Sequence, residues 1–206
     1  MLTTRYKPFF NRCCEPPARW LARRGVTPDA LTLAGLALGA ACCVFLVVTR
    51  QVAVFCVLIL ALGLCDALDG AVARVSGRAT KFGSYLDAMS DRYFEAMVVL
   101  AVAHVTGYWM WSLVVLAGTF AISYAKARAA MEVPVANNEW PDWMERMERD
   151  VLFIAGLFLS TLVSWQPFGH DLFYWTLIGL AVATHATVVQ RVLRARRLIL
   201  ARAKHP

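Results

Sequence analysis

Residues 66–91 read DALDGAVARVSGRATKFGSYLDAMSD, and they place four aspartates in a chain that is otherwise strongly apolar. Of the 206 residues, 59% are hydrophobic. An ionisable side chain at membrane depth is unfavourable unless it is paired, and it marks a functional site by default. The stretch therefore predicts a charged site that is built into a membrane protein.

The four aspartates fall into two helical stripes. A helix advances about 100° per residue, so residues three or four apart share a face. In each predicted helix that face carries two carboxylates together with very small side chains. The first stripe holds Asp66, Asp69, Gly70 and Ala73 with Arg74 at its edge, and the second holds Gly83, Asp87 and Asp91 with Ser84 beside it.

This pattern favours a site for metal ions and phosphate. Four converging carboxylates repel one another unless cations lie between them. Hard oxygen ligands of this kind prefer Mg²⁺, Mn²⁺ or Ca²⁺ to Zn²⁺. The glycines leave space against the backbone for a bulky group, and an arginine at the rim suits a phosphate.

Two other interpretations of the aspartates are open. A single aspartate at a helix start is usually a cap or a surface charge, but four at these phases are not explained in that way. The aspartates could instead line an ion or proton pathway, where membrane carboxylates also gather. A pathway explains the acids but not the small residues or Arg74.

The chain is predicted to be an all-helical membrane protein, with a bundle of six spans after a juxtamembrane amphipathic helix in residues 1–25. Several apolar runs cross ~30 Å of hydrocarbon only if the polar residues at one end continue the helix. We expect one domain over residues 1–206, with the bundle in residues 29–195. The apolar runs are Leu31–Val48, Val52–Cys65, Tyr93–Val105, Met110–Tyr124, Val151–Val163 and Leu172–Val189.

The basic residues predict the orientation of the chain. If it begins inside and crosses six times, all of its 21 Lys and Arg except Arg50 fall on the inner side. Such an excess marks the cytoplasmic face. Both termini and the aspartate-rich loop are therefore expected on the cytoplasmic side of the cell (inner) membrane. The net charge of +7 is then explained by anionic headgroups rather than by nucleic acid.

The spacing within residues 66–91 resembles the signature of the CDP-alcohol phosphotransferase family. That signature has the form D-x2-D-G-x2-A-R-x8-G-x3-D-x3-D, and this chain matches all eight of its fixed positions. The segment TPDALT at residues 27–32 is similar to the family's TPN-x-hydrophobic-T start of the first span, with Asp29 where asparagine is usual. The predicted layout of a juxtamembrane helix and six spans also agrees with the family.

The resemblance implies a transferase of phospholipid synthesis. It would move a phosphatidyl-type group from a CDP-linked lipid, CDP-diacylglycerol or an ether analogue, to an acceptor hydroxyl and release CMP. Asp91 would be the general base for that hydroxyl. Two divalent cations, Mg²⁺ or Mn²⁺, would be held by Asp66, Asp69, Asp87 and Asp91. The CDP moiety would contact Asp66, Asp69, Gly70, Ala73, Arg74, Gly83 and Ser84.

Basic residues in the second half of the chain predict an acceptor that carries a phosphate. Lys126 and Arg128 end the fourth predicted span, and Arg146 and Arg149 begin the fifth. They could form a cationic pocket, or they could be the usual basic residues of an inner face. Their segments, SYAKARAA and ERMER, look like the SY-x-KARAE and ER-x-ER segments of the branch that makes phosphatidylinositol phosphate or archaetidylinositol phosphate. In that branch these basic positions bind inositol phosphate.

The match to that branch has one departure. Ala130 stands where the branch usually has glutamate, and Glu132 comes two residues late. Inositol phosphate is the expected acceptor, and glycerol 3-phosphate, as in phosphatidylglycerophosphate synthases, is the alternative. Serine fits less well because it needs no basic pocket. A homodimer is expected from the family alone, and a non-enzymatic ion or proton carrier is a more distant alternative.

Overall fold

The computed structural model describes residues 15–133, 143, 144 and 146–203, and it gives only the backbone of residues 64–67. These residues are helical with short connections, and no strand occurs among them. The predicted all-helical class is confirmed for this part of the chain. Residues 1–14 of the predicted amphipathic helix lie outside it.

The helices of the described residues alternate with short turns and loops. A 3₁₀ turn at Pro167–Gly169 precedes the last helix. The α-helices are α1 at residues 15–23, α2 at Pro28–Thr49, α3 at Val52–Ser76, α4 at Lys81–Thr106, α5 at Trp109–Glu132, α6 at Arg146–Ser160 and α7 at Leu172–Ala203.

Four of the described helices, α2, α3, α5 and α7, are long and apolar enough to cross a bilayer. The protein is therefore a multi-pass membrane protein. In α3 the apolar run and the first aspartate stripe form one continuous helix, as the span lengths required. α4 and α6 also coincide with predicted spans, but α6 has only 15 residues and is strongly charged at its start. The count of six spans stays a prediction.

Short local signals set the ends of the helices that carry the aspartates. The Thr27 side chain caps α2 by accepting a hydrogen bond from the backbone N–H of Ala30 at 3.3 Å. Arg50 ends α2 in the left-handed region, at the predicted outer turn. Gly77 ends α3 with a φ of 65°, a conformation that glycine adopts without strain. The first aspartate stripe therefore lies in the last turns of α3.

The chain divides into two compact units, Met1–Ala101 and Val102–Pro206, with the boundary inside α4. In the first unit, α1 packs on α3 through Ala18, which is fully buried with Ala71 and Val72. α2 approaches α4 at Gly39, where a Cβ atom would overlap the ring of Phe94. The apolar side of the aspartate segment is therefore part of the core of this unit.

In the second unit, α5 and α6 both pack against α7. Gly118 of α5 faces Thr184, whose side-chain oxygen would lie 2.5 Å from a Cβ at the glycine. Arg191 of α7 is buried and donates to the carbonyl of Ile122. α7 is thus the common partner of the two helices that carry the predicted acceptor residues.

Candidate active site

A long-range hydrogen bond fixes the carboxylate of Asp69. The hydroxyl of Thr32, in the first turns of α2, donates to Oδ2 of Asp69 at 2.7 Å. The backbone N–H of Gly70 donates to the other carboxylate oxygen, Oδ1, at 2.5 Å. Thr32 is only 8% exposed and Asp69 is half-buried, so this contact is partly buried. α2 therefore orients the central aspartate of the first stripe.

Arg74 lies beside Gly70, one turn further along α3. Its Nη1 atom would be 3.4 Å from a Cβ atom built on Gly70. Gly70 and Ala73 are half-buried, and Arg74 is exposed. The guanidinium group thus lies over Gly70, where the helix carries no side chain. This is the arrangement of small residues and a rim arginine that the sequence predicted.

Gly83 lies at a close approach between α4 and α2. The hydroxyl of Thr80 caps α4 by accepting from the N–H of Gly83 at 2.8 Å. A Cβ atom at Gly83 would be 2.9 Å from Oδ1 of Asp29 and 3.1 Å from Oγ1 of Thr80. A methyl group here would displace the Asp29 carboxylate, so glycine allows α2 and α4 to make this close approach.

The first turns of α2 therefore contact both aspartate helices. Thr32 reaches Asp69 on α3, and Asp29 reaches the backbone of α4 at Gly83. Neither residue of α2 had a predicted role in the site. The segment that contains them resembles a family pattern, but nothing local in it indicates a partner that is tens of residues away.

The second stripe lies on the first turns of α4. Asp87 and Asp91 are half-buried, and Ser84 is exposed. The four-residue spacing of Gly83, Asp87 and Asp91 places them on one face of a single helix, as predicted. These carboxylates are therefore reachable from solvent while their backbone belongs to a long helix.

The chemical type of the candidate ligands suits a divalent cation. The backbone of Asp66 lies in α3, three residues before Asp69, but its side chain lies outside the described part of the structure. Among the side chains that are described, no three Asp, Glu, His or Cys residues lie close enough to hold a metal ion. All candidates are carboxylates, which suits Mg²⁺ or Mn²⁺. The four-aspartate metal centre stays a prediction.

The predicted acceptor residues lie in the second unit, two at the end of α5 and two at the start of α6. Arg128 pairs with Glu132 at 2.5 Å and Arg146 with Asp150 at 3.5 Å, both four residues apart and both about half-exposed. Lys126 is half-buried. Glu132, which comes two residues later than the glutamate of the related branch, thus has a partner, because it lies one helical turn from Arg128.

Arg149 differs from the other three basic residues because it is only 5% exposed. Its Nη1 atom donates to the carbonyl oxygen of Met144 at 3.3 Å. Glu145, which precedes Arg146 in the ERMER segment, lies outside the described residues. A buried guanidinium at the start of α6 is the most constrained cation of the predicted set.

Comparison with known proteins agrees with the family that the motif resembles. The sequence model of the family described as CDP-alcohol phosphatidyltransferase matches residues 25–187. The phosphatidylinositol phosphate synthase of Corynebacterium glutamicum is 33% identical over 202 residues, 91% of this chain and 86% of that protein. The archaetidylinositol phosphate synthase of Pyrococcus horikoshii is 31% identical over 81% of this chain and 93% of that protein.

Solved structures show the same likeness. The crystal structure of the Mycobacterium tuberculosis phosphatidylinositol phosphate synthase with CDP-DAG bound has a TM-score of 0.77 and 30% sequence identity, and the match covers 89% of this chain and 94% of that one. The same mycobacterial enzyme in complex with manganese and citrate has a TM-score of 0.76 over 88% of each chain.

The fold and the aspartate motif define a membrane-embedded transferase of phospholipid synthesis. The chain belongs to the CDP-alcohol phosphatidyltransferase family. The family predicted from residues 66–91 is confirmed, and the alternative of a non-enzymatic carrier is set aside.

Proposed function

We propose that this protein transfers a phosphatidyl-type group from CDP-diacylglycerol, or an ether analogue, to a hydroxyl of inositol phosphate. A new bond forms between that hydroxyl oxygen and the lipid phosphorus, the bond from this phosphorus to the CMP oxygen breaks, and CMP leaves. The contact of Thr32 with Asp69, an aspartate of a complete family signature, is the observation that carries the proposal. It holds the central carboxylate of the donor site in one orientation.

The donor would lie along the two aspartate stripes. Gly70 and Gly83 leave room for the nucleotide against the backbone, and Arg74 lies where it can pair with a phosphate oxygen. Asp91 would accept the proton of the attacking hydroxyl. Ala73 and Ser84 complete the predicted contacts with CDP.

The aspartates Asp66, Asp69, Asp87 and Asp91 would hold two divalent cations, Mg²⁺ or Mn²⁺. When bound, such ions neutralise the charge of the pyrophosphate and of the departing CMP. The exposure of the described carboxylates supports this assignment, because an ion and its water ligands need access. The mycobacterial relative crystallised with manganese supports a divalent ion as well.

The acceptor phosphate would bind to Lys126, Arg128, Arg146 and Arg149. Arg149 would be the central contact, because a buried guanidinium binds a phosphate more strongly than an exposed one. The two relatives named above, which make phosphatidylinositol phosphate and archaetidylinositol phosphate, support inositol phosphate over glycerol 3-phosphate.

We further propose the membrane arrangement that this chemistry needs. The two units would act as one domain of six spans in the cell membrane, with both termini and the aspartates on the cytoplasmic side, where soluble inositol phosphate is available. The basic segments support this orientation. The protein would act as a homodimer, as is common in its family.

Purified protein tests the proposal directly. CDP-diacylglycerol and Mg²⁺ are offered with inositol phosphate, glycerol 3-phosphate or serine in turn, and the release of CMP is measured. We expect CMP with inositol phosphate, and none after the divalent ions are chelated. CMP with glycerol 3-phosphate alone would assign the acceptor to the alternative. No CMP with any acceptor would contradict the proposed transfer.

A further inference from the structure

A groove of about 450 Å³ lies on the surface of the second unit, beside the basic end of α7. Its floor is apolar and includes Ala186, Val189 and Leu193, which are spaced about one helical turn apart. Val189 keeps 58% and Leu193 51% of its surface exposed. None of the described residues that line this groove belongs to the candidate active site.

The floor of the groove faces away from the core of the second unit. Thr184, on the same helix, is fully buried and faces Gly118 of α5. Leu193 lies nine residues later, which is about 180° around a helix. An apolar face that a membrane-spanning helix does not bury against protein is available to lipid chains.

Aromatic and basic side chains complete the groove. Arg194 and Arg197 line it, one turn apart and just beyond the apolar floor. Trp143 also lines it, and its backbone N–H donates to Oε1 of Gln190 at 3.2 Å, which ties this residue to α7. Indole rings concentrate at the headgroup level of a bilayer, and arginine binds phosphate through paired N–H groups.

We propose that this groove binds one anionic phospholipid of the surrounding bilayer. An acyl chain lies along Ala186 and Val189, and the headgroup phosphate pairs with Arg194 and Arg197. Along α7 the apolar floor is followed by the two guanidinium groups, just as the acyl chain of such a lipid is followed by its phosphate. Basic residues next to a membrane span attract anionic headgroups. The described lining residues lie apart from the candidate active site, and we assign the lipid as a bound ligand.

The test uses two neighbouring arginines that differ in position but not in charge. Arg197 lines the groove, whereas Arg196, also exposed, is not among its lining residues. The purified full-length protein is titrated with phosphatidylglycerol or phosphatidylcholine in detergent, and bound lipid is counted by native mass spectrometry. We expect phosphatidylglycerol to bind with a dissociation constant about tenfold higher in Arg197→Gln, because a charge-assisted contact is lost. Arg196→Gln should bind like the unaltered protein.

A second pair of variants tests the apolar floor without changing charge. Leu193→Trp fills the groove, and Val192→Trp adds the same ring at an exposed neighbour that does not line it. We expect only the first variant to lose the bound phosphatidylglycerol, with the melting temperature of both variants used to verify folding. Equal losses in Arg196→Gln and Arg197→Gln, or equal binding of the two lipids, would overturn the proposal. A third outcome would also overturn the proposal. If Leu193→Trp changed the oligomer mass and left lipid binding intact, the groove would be occupied by a second copy of the chain.

Discussion

The aspartates of α3 and α4 and the basic residues of α5 and α6 are held in place by different kinds of contact. Asp69 is fixed by a residue 37 positions away in the sequence, and Gly83 lies against Asp29 of another helix. In contrast, Arg128 and Arg146 pair with acids on their own helices. The contacts that fix the first site join different helices, whereas these two ion pairs of the second lie within single helices.

This difference matches the demands of two substrates. Exposed ion pairs within a helix contribute little to stability, so Arg128 and Arg146 can exchange their acidic partners for a ligand phosphate at small cost. The hydrogen bond from Thr32 to Asp69 is partly buried, and it joins two helices. We therefore expect the donor site to be rigid and the acceptor site to adapt, with the buried Arg149 as its one fixed cation.

The largest effect is expected from Asp91→Asn. This change removes the proposed base and keeps the shape of the side chain, so CDP binding should persist while CMP release falls by roughly 10²–10⁴-fold. Calorimetric titration with CDP and a CMP assay measure the two quantities separately. Glu15→Gln, the same chemical change in α1, serves as the control. Near-normal turnover in Asp91→Asn would remove the base assignment.

An intermediate effect is expected from Arg149→Ala. We expect KM for inositol phosphate to rise about 100-fold, because a buried charged contact is lost, and only a few-fold in Arg128→Ala. Steady-state kinetics with varied acceptor and saturating CDP-diacylglycerol measure both values. Equal effects at the two positions would contradict the idea of one fixed cation, and an unchanged KM in both would place the acceptor phosphate elsewhere.

The smallest effect is expected from Thr32→Val, which keeps the volume of the side chain and removes the donor to Asp69. We expect kcat/KM for CDP-diacylglycerol to fall about tenfold, the cost of one hydrogen bond to a charged group. Thr49→Val is matched to it, since the Thr49 hydroxyl donates within α2, to the Phe45 carbonyl at 2.8 Å. If both variants lose activity equally, the loss reflects helix stability and not the orientation of Asp69.

Helical phase is enough to predict much of the first site. The spacing of Gly83, Asp87 and Asp91 required one face of one helix, and the length of a span required α3 to continue through Asp69. The contacts of Thr32 and Asp29 were not predictable, because they depend on how three helices meet and leave no periodic signal in the chain.

The second half of the chain was less predictable for a different reason. α6 has Arg146, Glu148, Arg149 and Asp150 in its first turns, so apolar length alone does not define it as a span. The burial of Arg149 was also not foreseen, since Arg146, Arg149 and Arg128 look alike in the sequence. The difference between Arg149 and the other two appears only in the folded chain, where Arg149 is 5% exposed.

The burial of Ala18 against Ala71 and Val72 has a mechanical consequence. α1 is the segment expected to lie along the bilayer surface, and the residues it covers alternate with Asp69, Gly70 and Ala73 on the last turns of α3. The contact extends to Leu21, Ala22 and Leu68, so α1 and the end of α3 pack as one cluster. We therefore expect the position of α1 at the membrane surface to influence how deep the first aspartate stripe lies.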